Sequence, residues 1–164
     1  MDFSLSEEQK QVQDLINQFI AKDYPFDVRE KLVKSEDGFS KEFWKTFGEF
    51  GLLAMPFPED DGGFNGGPVD LMVILEAFGT GLVVEPYIPN VVLSGNLISK
   101  LGNKEQKDEI LPKLFSGELQ MSFAFTEPQS RFDLNDVTTS AKLEGDNYIA
   151  VSYTHLRAHE TVGN

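Results

Sequence analysis

The sequence predicts an α+β protein, with an N-terminal all-α domain of about six helices over residues 1–118, followed by the first strands of a β-domain over residues 119–150. Three observations carry this expectation. Apolar residues recur at i, i+3, i+4 spacing from Val12 to Leu101, the helical period. After Gly117 the period becomes two, with Met121, Phe123 and Phe125 alternating with Ser122, Ala124 and Thr126. Glycines and prolines stand between the periodic stretches, where they end helices and open turns.

The helices follow in order. Ser4-Leu5-Ser6-Glu7 offers a capping-box start for a first helix whose stripe is Val12, Leu15, Ile16, Phe19 and Ile20. Tyr24-Pro25 ends it, and a shorter helix around Val28, Leu32 and Val33 closes at Asp37-Gly38. Ser40 caps a third helix with Phe43, Trp44, Phe47 and Phe50 on one face and Gly51 as its terminator, so that stripe is expected in the core. Two prolines exclude a helix from 53–58, and the composition of 59–67, with glycines at 62, 63, 66 and 67, reads as a conformationally free loop. Pro68 opens a fourth helix through Leu71, Ile74, Leu75 and Phe78, which Gly79 and Gly81 weaken. Pro86 and Pro89 open a fifth, with Gly102 as its stop. Asn103 caps a sixth from Lys104 to about Glu109, and Pro112 is expected to kink it or begin a new turn. Beyond the switch at Gly117, the β-branched run Val137-Thr138-Thr139 and the turn residues Glu144-Gly145-Asp146-Asn147 predict a hairpin returning through Tyr148-Ile149-Ala150-Val151.

Composition excludes several functions. The chain has 164 residues, 40% of them hydrophobic, and no apolar run long enough for a transmembrane helix. Fourteen Lys and Arg against 27 Asp and Glu leave a net charge of −13, which repels nucleic acid. An anionic cofactor is still compatible, because backbone N–H groups bind phosphate locally. The absence of cysteine removes disulfides, thiolate nucleophiles and Cys-based metal sites. The acidic start lacks the features of a signal or transit peptide, so a cytoplasmic location is expected. Glu59, Asp60 and Asp61 lack the spacing of a calcium loop and read as a solvated turn. The nearby glycines follow no strand and make no nucleotide fingerprint. From the residues alone, Phe123 and Phe125 are strand core and Thr126 is a turn residue at the strand's end.

Three segments change that last reading: Pro58-Glu59-Asp60-Asp61-Gly62-Gly63, Leu111-Pro112-Lys113-Leu114-Phe115-Ser116-Gly117-Glu118, and Phe123-Ala124-Phe125-Thr126-Glu127-Pro128. In this order they resemble the acyl-CoA dehydrogenase family, over roughly residues 1–150. With Glu85-Pro86-Tyr87 upstream, Thr126 to Leu134 looks most like the small subunits of pimeloyl-CoA dehydrogenase-type enzymes. The resemblance implies that 119–150 begins the family's middle β-domain. It also implies a flavoenzyme that oxidises an acyl-CoA thioester to a trans-2-enoyl-CoA, with FAD taking the hydride and an electron-transfer flavoprotein receiving the electrons. Phe123, Phe125 and Thr126 fall where the family holds the flavin ring, and the Thr126 hydroxyl would donate a hydrogen bond to it. The 59–67 turn would lie near the acyl pocket.

The resemblance also carries departures. Where many members continue Thr-Glu-Pro with Gly-x-Gly-Ser-Asp, this chain has Gln129, Ser130, Arg131 and Phe132 before Asp133, so close backbone approach to a ligand is restricted. That change motivates an alternative, a non-catalytic partner subunit of a hetero-oligomeric acyl-CoA dehydrogenase; in either case the resemblance implies a homo- or hetero-oligomer with acyl-CoA dehydrogenase subunits. Arg131 could contact a phosphate or stand in solvent. The family's catalytic base is a glutamate of a later helical domain with no counterpart here, so no catalytic residue is assigned and the 164-residue chain is expected to be inactive. Resemblance stops near Ala150, and 151–164 is expected to be a non-native tail. His155 and His159, four apart and followed by Glu160, are therefore not expected to bind metal.

Overall fold

The computed structural model describes residues 4–124, 127–145 and 147–151. The chain divides into two compact units, residues 1–123 and 124–164. In the first, α1 (Glu7–Asp23), α2 (Phe26–Val33), α3 (Lys41–Glu49), α4 (Pro68–Gly81), α5 (Asn96–Leu101) and α6 (Lys104–Phe115) run in order. A 3₁₀ turn, Glu59–Asp61, precedes α4, and a π-helical segment, Ile88–Gly95, leads directly into α5. In the second, β1 (Ser140–Glu144) and β2 (Asn147–Val151) form an antiparallel hairpin with Glu144 opposite Asn147.

The helix ends obey local chemistry, with one correction at the start. The cap of α1 is Ser6, not Ser4: Ser6 Oγ accepts from Gln9 N–H at 3.2 Å while Gln9 Oε1 accepts from Ser6 N–H at 3.0 Å. Glutamine three residues on completes the box at Ser6, so the helix starts there. Ser40 caps α3 as expected, accepting from Phe43 N–H at 3.1 Å, and Gly51 and Gly117 follow α3 and α6 at φ +75° and +77°. Asp70 reaches back from the first turn of α4 to the Gly67 N–H at 2.7 Å.

The α3 stripe enters the core as its spacing predicts. Trp44 and Phe47 are buried with Ile16, Phe19, Ile74, Phe78, Tyr87, Leu111 and Leu114. Phe19 meets the edges of Phe43 and Phe47 at centroid distances of 5.2 and 5.4 Å, and Phe47 stacks on Phe78 at 4.8 Å. Such pairs contribute about 0.5–1.5 kcal/mol each beyond the area they bury.

Four expectations fail in instructive ways. The fifth helix begins with a π-helical turn, because Asn90 Nδ2 donates to the Pro86 carbonyl at 3.0 Å and Ser94 Oγ to the Pro89 carbonyl at 2.7 Å. Gly95 completes that turn against the core, where a Cβ would lie 2.6 Å from Phe57 Cζ. The sixth helix does not stop near Glu109: α6 runs through Pro112 to Phe115, and burial of Leu111 and Leu114 holds its last turn, so the ring costs one hydrogen bond without ending the helix. The 59–67 loop is pinned rather than free. Gly63 and Gly66 donate to the Pro58 and Met55 carbonyls at 2.9 and 2.8 Å, and a Cβ on Gly63 would lie 2.2 Å from the Phe57 carbonyl oxygen.

The fourth concerns the stretch after Gly117. Residues 118–124 pair with no strand among the described residues, and the Met121 N–H donates instead to the buried Asn90 side chain. The hairpin itself forms where its turn residues place it, with Gly145 at φ +63°. Every β1 side chain is exposed, so neither face of that strand is covered among the described residues. No helix among the described residues is long and apolar enough to cross a membrane.

Candidate functional site

The segment that turns from helix to extended chain is anchored from α6 and the π-helical turn. Glu118 and Leu119 N–H groups both donate to the Lys113 carbonyl, at 2.9 and 3.0 Å, and Asn90 holds Met121. That anchoring places Phe123, 41% exposed, in the wall of an open cavity of about 320 Å³ with Ser94, Leu97, Ile98, Met121 and Ser122. No lysine or arginine lines it among the described residues. Phe125 and Thr126, the other two expected flavin-contacting residues, lie outside the described residues, as do His155 and His159.

Among the described residues of the second unit, Glu127 accepts a dense set of hydrogen bonds. Its Oε2 accepts from Thr138 N–H (2.7 Å), Thr138 Oγ1 (2.5 Å) and Gln129 Nε2 (2.5 Å), and its Oε1 from Thr139 N–H (3.0 Å) and Thr139 Oγ1 (2.6 Å). Hydrogen bonds from Thr138, then Thr139 and Gln129, favour the ionised form and hold this carboxyl well below the ordinary range. Ser130 is buried, its hydroxyl donating to the Glu127 carbonyl at 2.9 Å. Arg131 then takes φ +49°, unusual for a residue with a Cβ, and Phe132 is 100% exposed.

Two polar clusters in the first unit escaped sequence reasoning. Asp61, read there as part of a solvated turn, has a side chain only 10% exposed and accepts from Ser99 Oγ at 2.5 Å and Lys107 Nζ at 3.2 Å. The Ser99 hydroxyl, more than the lysine, lowers its pKa. This clamp ties the 3₁₀ turn to α5 and α6. Its partners lie 38 and 46 residues away, so no local signal announces it. Glu85, 5% exposed, accepts from Tyr24 Oη at 2.9 Å and from Ser40 N–H at 3.1 Å, while Tyr24 Oη accepts from Val84 N–H at 3.1 Å. Burial raises the pKa of Glu85 and that of the Tyr24 phenol. Here a signal did exist: a lone carboxyl between Val84 and Pro86 in an apolar stretch. Among the described residues no group of three or more His, Asp or Glu is placed to hold a metal.

Residues 6–118 match the family described as "Acyl-CoA dehydrogenase, N-terminal domain". The chain belongs to the acyl-CoA dehydrogenase family. It is 31% identical over 147 residues to the mitochondrial isovaleryl-CoA dehydrogenase of Bos taurus, covering 88% of this chain and 34% of that one. Over 145 residues it is 32% identical to the acryloyl-CoA reductase (NADH) of Anaerotignum propionicum, covering 88% of this chain and 36% of that one. Among solved structures, an acyl-CoA dehydrogenase complexed with FAD from Bacillus anthracis superimposes with a TM-score of 0.75 at 30% identity, covering 91% of this chain and 26% of that chain. The chain thus spans about a third of the length of the curated relatives it matches. The matched residues 6–118 take in all six helices.

Proposed function

We propose that this chain is the N-terminal part of an FAD-dependent acyl-CoA dehydrogenase subunit that oxidises an acyl-CoA thioester to a trans-2-enoyl-CoA. The observation that carries this reading is the family match over residues 6–118 running into Phe123-Ala124-Phe125-Thr126-Glu127-Pro128. The apolar wall at Phe123, with no lysine or arginine among its described lining residues, supports this reading. FAD, when bound, supplies the hydride acceptor. Phe123 and Phe125 pack against its ring in this reading, and the Thr126 hydroxyl donates a hydrogen bond where negative charge gathers on reduction, a fixed donor that needs no reorganisation. Electrons pass on to an electron-transfer flavoprotein, and the subunit works in an oligomer with other acyl-CoA dehydrogenase subunits in the cytoplasm. Residues 1–118 act as the helical domain, 119–150 as the start of the middle β-domain, and 151–164 as a non-native tail. The uncovered faces of β1 support a β-domain completed by further chain.

Oxidation between Cα and Cβ needs a base to take the Cα proton on the side opposite the hydride acceptor. We assign that base outside these residues, so the 164-residue chain alone should not turn over. Dehydrogenation of an acyl-CoA by this chain alone would refute the assignment. In the subunit expressed from its complete gene, Thr126→Val should weaken binding of oxidised FAD by roughly fivefold, the loss of one hydrogen bond of about 1 kcal/mol to a neutral acceptor. Unchanged affinity would refute the role of Thr126.

A second reading, a non-catalytic partner subunit, is favoured by one observation: Arg131 and the fully exposed Phe132 stand where many members have glycine and serine. Flavin content decides between the two. The purified complex should hold less than one FAD per subunit if this one is non-catalytic, and a full complement if it is catalytic.

A further inference from the structure

The 127–139 segment is closed by polar contacts at one carboxylate. Its apolar side chains Phe132, Leu134 and Val137 are all exposed, so no apolar anchor holds it among the described residues. Both ends meet at Glu127, which is 7% exposed and receives the N–H and the hydroxyl of each of two consecutive threonines. A carboxylate has about four lone-pair sites, and here five donors occupy them. The backbone inside the loop follows from that closure: Ser130 N–H donates to the Glu127 carbonyl at 3.1 Å and Asp133 N–H to the Ser130 carbonyl at 2.7 Å, with Arg131 left-handed between them.

We propose that Glu127 is a positioning residue, whose carboxylate closes the 127–139 loop through Thr138 and Thr139 and thereby fixes its own backbone, which in sequence directly follows Thr126. This deepens the flavin reading above and rests on it for its functional half. Glu127 directly follows Thr126, so rotation of the Glu127 backbone re-aims the preceding hydroxyl. The threonines contribute as donors: their hydroxyls, and not their β-branching, make the contact.

The test uses two readouts. On the 164-residue chain, trypsin cleaves after the exposed Arg131 only when the loop opens, so the cleavage rate reports the open population. Glu127→Ala and the double substitution Thr138→Val/Thr139→Val should each accelerate that cleavage roughly tenfold or more, since each removes charge-assisted hydrogen bonds. Thr138→Ser/Thr139→Ser keeps both hydroxyls and should leave the rate as in the native chain. Helical circular dichroism, which reports α1 to α6, should stay the same in all variants. In the subunit expressed from its complete gene, the two loop-opening changes should weaken FAD affinity and alter the bound flavin's visible spectrum, and the serine pair should restore both. Unchanged cleavage overturns the clamp. Faster cleavage with unchanged FAD affinity and spectrum overturns the positioning role. If the native subunit binds no FAD, the flavin reading falls and the positioning role with it, while the cleavage rates still decide the clamp.

Discussion

Replacing Gly63 by alanine should cost the first unit about 3 kcal/mol of stability, close to the upper end of what overpacking alone produces. The new Cβ would lie 2.2 Å from the Phe57 carbonyl oxygen and 2.5 Å from its carbonyl carbon. Ordinary C···O contacts begin at about 3.3 Å, so the two backbones must separate by roughly 1 Å. Neither can do so freely. The Phe57 carbonyl accepts from Asn65 N–H at 2.8 Å, and Gly63 N–H donates to the Pro58 carbonyl at 2.9 Å. A shift of that size breaks one or both bonds at about 1 kcal/mol each, added to about 1–2 kcal/mol of residual strain. Against a typical total of 5–15 kcal/mol this is a large fraction. Urea unfolding followed by the fluorescence of Trp44, the chain's single tryptophan and buried in this unit, should show the midpoint falling by about 1.5 M for a slope near 2 kcal/mol/M. Gly79→Ala is the control. Nothing lies within 4 Å of a Cβ there, inside α4, and the change should stabilise by about 0.5–1 kcal/mol. A Gly63→Ala chain within 0.5 kcal/mol of the native one would refute the claim that close backbone packing, rather than flexibility, explains the glycine.

Two further expectations concern the buried carboxyls. Asp61→Asn should destabilise by about 1–2 kcal/mol through the loss of a charged partner for Ser99 and Lys107, and a double-mutant cycle with Lys107→Met should show coupling; a coupling near zero would remove the clamp from the account. For Glu85 the sign runs opposite to the usual carboxylate, because its folded pKa is raised. Its contribution is fully present below the unfolded value of about 4.3 and is lost as pH rises through the folded value. Stability measured against pH should therefore show Glu85→Gln gaining on the native chain as pH climbs above about 4.3, and a difference that stays flat from pH 4 to 7 contradicts the burial argument.

The helices were legible because their signals are short-ranged. Ser40 with Phe43, Asn103 with Gln106 and the aromatic spacing of α3 each act within one or two turns, so a sequence pattern and its structural effect coincide. Ser4 failed as a cap only because Ser6, two residues on, has the glutamine partner. The end of α6, expected near Glu109, was misplaced for a different reason: the cost of the Pro112 ring is local, while the burial of Leu111 and Leu114 that outweighs it is tertiary.

The candidate site was only partly legible. Motif resemblance singled out Phe123, Phe125 and Thr126, but not the neighbour that closes the loop behind them. Glu127 stands in the most specific motif of the chain, yet its partners come 11 and 12 residues later, in a run whose β-branching reads as a strand. A hydroxyl that donates to a carboxylate and a methyl that packs on a sheet belong to the same side chain, and only coordinates tell which is used.

By itself, the sequence determined the family, the order of the helices, the aromatic core and the hairpin turn, because periodicity, caps and turn residues act within a few positions. The tertiary structure decided which carboxyls are buried, why Gly63 is glycine, and how Asn90, Glu85, Asp61 and Glu127 join distant segments. Those contacts are set by where the folded backbone brings donors and acceptors together, a property of the whole packed chain.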